Sequence, residues 1–69
     1  MSMADKGARI ASLKRYISLL HLEEKRLNWL ISSTVTSTAE RTDAEINART
    51  VTEKLRSAEK ELRKLQGME

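Results

Sequence analysis

Apolar residues recur along the first half of the chain at Ile10, Leu13, Ile17, Leu20, Leu27 and Ile31, and Glu24 stands where one more apolar member belongs. The spacing alternates three and four, the heptad pattern of a helix that packs along one seam. The second half repeats the pattern at Ala44, Ala48, Val51, Leu55, Ala58, Leu62 and Leu65. Between the two runs the pattern goes polar. Seven of the eleven residues from Ser32 to Thr42 are Ser or Thr. These side chains compete with the backbone for hydrogen bonds and favour caps over helix interiors. The heptad phase also slips by three residues between the halves, a slip that a continuous coiled coil would have to absorb by overwinding.

This pattern predicts an all-α antiparallel helical hairpin, one domain over residues 1–69, with a helix at 4–33, a Ser/Thr-rich bend at 34–41 and a helix at 42–66. Folding the chain back pairs Ile10 with Leu65, Leu13 with Leu62, Ile17 with Ala58, Leu20 with Leu55, Glu24 with Val51, Leu27 with Ala48 and Ile31 with Ala44. Large residues meet alanine in three of these layers, which suits two closely packed helices. The alternative is one long coiled-coil helix, a rod about 90 Å long at about 1.5 Å per residue. Neither Gly nor Pro marks the bend; the two glycines are Gly7 and Gly67, and proline is absent.

Local signals set the helix ends. Ser2 followed by Asp5 resembles a capping box for the first helix. Thr42 with Glu45 makes a capping box for the second, and Asp43 adds negative charge where the helix dipole favours it; Ser37 with Glu40 is a competing start five residues earlier. Gly67, after Arg63 and Lys64, has the place of a residue that ends a helix in a left-handed conformation. Arg41 with Glu45, Glu45 with Arg49, Arg49 with Glu53 and Glu59 with Arg63 are spaced for ion pairs along the second helix.

The first helix carries a second apolar stripe. Ala8, Ala11, Leu19, Leu22, Trp29 and Leu30 fall roughly 150° around the helix from the seam, at about 100° per residue. Arg15 and Arg26 interrupt this stripe. A helix with two apolar faces cannot bury both against one neighbour. Leu19, Leu22, Trp29, Leu30 and Ile46 are therefore expected as an apolar patch for an oligomer or partner interface. The expected consequence is self-association of the hairpin into a four-helix bundle, with a homodimer or another helical protein as partner.

Composition sharpens this picture. A core built from 69 residues rarely supplies more than about 3–5 kcal/mol. No cysteine is present to form a disulfide, and a single histidine leaves a structural zinc site without ligands. His21 and Glu24 have ligand spacing but no companions. No cofactor is expected. An enzyme is not expected either, because one histidine has to serve every Ser and Thr as a base and no glycine-rich phosphate loop is present. Glu24 on the seam reads either as a device that selects one register, with Lys54 or Arg56 across the layers as its partner, or as a frayed, exposed edge.

The net charge of +3 resides in the first half, where Lys6, Arg9, Lys14, Arg15, Lys25 and Arg26 face three acids; the second half holds seven of each sign. These six residues are candidate contacts for an anion or for nucleic acid. No helix-turn-helix spacing or aromatic RNA-binding motif accompanies them. No signal peptide is recognisable and no apolar run is long enough to span a membrane, so a cytoplasmic location is the default. The expected role is a non-enzymatic helical interaction module: an oligomerising adaptor, assembly subunit or binding regulator. A small basic bundle that binds nucleic acid is the alternative.

Overall fold

The computed structural model describes residues 3–67. It contains helix α1, Met3–Ser32, and helix α2, Thr38–Leu65, and no strand among the described residues. The two pack side by side as a hairpin. Its dimensions are 49 × 18 × 14 Å, and the long axis is that of one 30-residue helix at about 1.5 Å per residue. The continuous rod is thereby excluded.

The seam residues of both helices form the core. Leu20, Leu27, Ala44, Val51 and Leu55 make one buried cluster, with Ile17, Leu30, Ile31 and Ala48 packed against it. Leu13 and Ala58 extend the buried line toward the open end. There Ile10 and Leu65 line a common groove. Leu27 is the most enclosed large side chain, 1% exposed. It lies where α2 offers alanines, and the small side chains let the helices approach closely. The Arg9 guanidinium crosses the hairpin to Glu61 at 2.6 Å, an exposed pair that contributes at most about 1 kcal/mol.

The bend is shorter than the sequence pattern suggests. It occupies 33–37, and α2 begins at Thr38 rather than at residue 42. Ser37 is the N-cap: its Oγ accepts the Glu40 amide at 3.2 Å, and the Glu40 carboxylate accepts the Ser37 amide at 3.4 Å. Of the two possible capping boxes, the earlier one is used. Thr42 instead donates its hydroxyl to the Thr38 carbonyl at 2.9 Å, as a residue inside the helix does. The physical reason is that starting at Thr38 adds a turn of helix and keeps Ala44 well inside it, where it is buried.

No non-glycine residue in the described chain adopts a positive φ. The reversal is therefore made from ordinary backbone conformations held by side chains. Ser32 donates to the Asn28 carbonyl at 2.7 Å, and the Ser33 hydroxyl accepts the Val35 amide at 3.3 Å. Arg41 reaches back across the bend and donates to the Ser33 carbonyl at 3.2 Å. Thr36 is buried beneath the turn. At the other end Gln66 caps α2 and Gly67 takes φ +73° beyond it, the left-handed conformation that a side chain would strain. α1 ends at Ser32, one residue before the predicted boundary, and α2 ends at Leu65, also one residue early. The proposed cap at Ser2 lies outside the described residues.

Ser37→Ala removes the cap and is expected to cost about 1 kcal/mol, whereas Thr42→Ala should change stability by only a few tenths of that. Urea unfolding followed by circular dichroism checks the order; equal losses would place the helix start elsewhere.

Candidate functional site

Burying the seam fixes what α1 turns outward. Leu22 and Trp29 each lie two residues from a seam position, which in a helix means close to the opposite face. They are 62% and 61% exposed, and Leu19 beside them is 59% exposed. Ala8 and Ala11 are exposed on the same side. The second stripe of α1 is thus an uncovered face running most of the helix length.

Two members of the expected patch sit elsewhere. Leu30 is only partly exposed and packs against the core cluster, because it lies near enough to the seam for its long side chain to reach inward. Ile46 is 58% exposed, but it belongs to the outer side of α2. It is two residues from both Ala44 and Ala48, so it points away from α1 while Leu22 points away from α2. The hairpin stands between them, and they do not form one patch.

The six basic residues of the first half are all exposed, but the structure does not gather them on one surface. Arg9 is held by Glu61. Arg26 donates through Nε to Glu23 at 3.0 Å and through a second nitrogen to the other carboxylate oxygen. That two-pronged bond holds the Glu23 carboxyl below its ordinary value and pushes the Arg26 guanidinium above its own. Lys14 and Lys25 take one flank of α1, and Arg15 sits within the apolar stripe. Lys6 lines the open end beside Ile10 and Leu65.

Three further arginines were not singled out by the charge balance. Arg49, Arg56 and Arg63 are seven residues apart and share one exposed flank of α2. The constant spacing was the available signal. Among the described residues none of them closes an ion pair, and the four pairings expected along α2 are not formed. Arg41 is drawn into the bend instead, with its Nε buried and unpartnered.

Glu24 meets neither Lys54 nor Arg56. Its carboxylate lies 3.4 Å from His21 Nδ1 on the same helix and is about one-third exposed, at 36%. The seam carboxylate therefore leans to the rim rather than entering the core. Among the described residues no group of three or more His, Cys, Asp or Glu side chains is placed to hold a metal ion. One groove of about 620 Å³ runs between the helices on the side of Tyr16 and is bridged by Arg9 and Glu61. It is open to solvent and lined by hydroxyls and ion-pair members, without a histidine. No described helix is long and apolar enough to cross a membrane.

Compared with protein-family models, curated proteins and solved structures, the chain shows no match to any.

The bond to Arg26 makes Glu23 ionise at lower pH than an ordinary glutamate, so its contribution to stability is present above the unfolded value and is lost as pH falls through the folded one. Side-chain carbon NMR should show Glu23 titrating below the ordinary value of a glutamate. Arg26→Gln should raise it toward that ordinary value, and an unchanged midpoint in that variant would remove Arg26 as the cause.

Proposed function

We propose that the chain is a non-enzymatic helical interaction module that acts through helix–helix contacts, as an oligomerising adaptor, assembly subunit or binding regulator. The observation that carries this reading is the uncovered stripe of α1. Three large apolar side chains, each about 60% exposed, line one side of a helix whose other side is already buried. The helix is built to sit between two neighbours, and the hairpin supplies one. Self-association into a bundle supplies the other most directly, because every copy carries the same face. A cytoplasmic setting is part of this proposal.

Leu22→Glu with Trp29→Glu tests it. Both positions lie outside the core, so helicity should be retained. Sedimentation should find the parent chain dimeric or larger and the variant monomeric. A variant that stays fully associated would sink the idea that this stripe is the interface.

The flank of Arg49, Arg56 and Arg63 favours a second reading, a basic surface for nucleic-acid phosphates. Adjacent arginines stand about 10 Å apart along α2, at about 1.5 Å per residue. On this reading affinity for duplex DNA falls steeply with added salt, and Arg56→Gln reduces the slope by about one. Absence of binding at low salt, measured by fluorescence anisotropy, would dispose of it.

A further inference from the structure

The outer face of α1 also specifies how a second copy would lie on it, an inference that rests on the self-association reading. Area comes first. A compact 7.9 kDa chain exposes about 4,400 Å², whereas this one exposes 5235 Å². The excess, about 800 Å², comes from the elongated two-helix shape, and it is of the size that each partner buries in a stable complex. The radius of gyration tells the same story, 15.5 Å against about 11 Å for a compact chain of this length.

Size is distributed unevenly along the face. Small residues, Ala8 and Ala11 with Ser12 at the edge toward the groove between the helices, occupy the N-terminal half beside Arg15, and the large apolar ones, Leu19, Leu22 and Trp29, the C-terminal half. A parallel pair would stack Trp29 on Trp29 and leave alanine opposite alanine. An antiparallel pair sets large against small at each end, the arrangement that fills space between helices.

Ala8, Ser12, Arg15, Leu19, Leu22, Arg26 and Trp29 follow each other at four and three residues, a second heptad seam. We propose that two hairpins join through α1 in antiparallel orientation, with Leu19 and Leu22 of each copy straddling the two-fold axis. Leu19 of one copy then meets Leu22 of the second, and Trp29 sits on Ser12 with Ala8 and Ala11 around it.

Charge is compatible with this register. Arg15 comes opposite Arg26 of the second copy, and the carboxylate of Glu23, already bonded to Arg26, lies one turn away. A carboxylate has lone pairs for two guanidiniums, so Glu23 bridges both arginines. The two α1 helices form the middle of a four-helix array and the α2 helices its outside. α1 then has a helix on each apolar face.

Site-directed spin labelling tests the register, since the chain has no cysteine of its own. Single cysteines replace Gly7, Lys14, His21 and Asn28, which are seven residues apart on one exposed line. A Cβ at Gly7 meets nothing within 4 Å. Pulsed dipolar spectroscopy on the labelled full chain should give distances set by axial separations of about 40, 20, 2 and 22 Å at the four sites, each combined at right angles with one common lateral offset. The profile is a V with its minimum at His21. Equal distances at all four sites mean a parallel pair and overturn the proposal. A minimum at another site means a different register and overturns it too, while leaving self-association intact. No dipolar coupling, together with a monomer mass, overturns both.

Discussion

The fold depends on the contact between the large side chains of α1 and the alanine side of α2. Leu27, 1% exposed, is enclosed in a cluster to which α2 contributes Ala44 and Ala48, and Leu20 and Leu55 belong to the same cluster. Small residues on one helix allow close approach, and close approach is what makes a core from a single layer of contacts. Two helices have no third neighbour to make good a gap. Every other feature of the hairpin serves to hold these two rows opposite each other.

The bend does so without glycine or proline. Ser37 caps α2, Ser32 and Ser33 satisfy backbone groups at the end of α1, and Arg41 ties the two sides together. The Ser and Thr residues replace the conformational freedom that glycine would supply with local hydrogen bonds. Five residues then suffice to reverse the chain, and the seams begin to pair almost as soon as α2 starts.

The same economy leaves α1 incomplete. One of its apolar faces is satisfied by α2, and the other is open along most of its length. α2 shows the contrasting design, with a narrow apolar seam and an otherwise charged surface. Its one large exception, Ile46, faces outward on the far side of the hairpin. The proposed interaction role rests on this asymmetry between the helices. Arg15 and Arg26 lie within the open face and Glu23 beside it, so that face presents charge as well as apolar surface.

The heptad spacing in the sequence predicted two helices and the row of side chains that shares a face on each, because periodicity alone decides which side chains share a face; it left one continuous helix open, and it set the start of the second helix four residues too late. It also exposed the second stripe of α1. The local signals favoured the wrong one of two capping boxes, Thr42 with Glu45 over Ser37 with Glu40. That choice fell to the tertiary structure, where starting at Thr38 sets Ala44 inside a formed helix against the core. Nor could periodicity place Leu30 or Ile46. Leu30 sits near the boundary between faces, and only packing against the cluster draws it in; Ile46 shares a level with Trp29, but two helices facing each other turn their outer sides in opposite directions. Glu24 shows the same limit. Its spacing put it on the seam, and the third dimension let it lean out to His21, because a carboxylate at the rim keeps its water while one in the core does not.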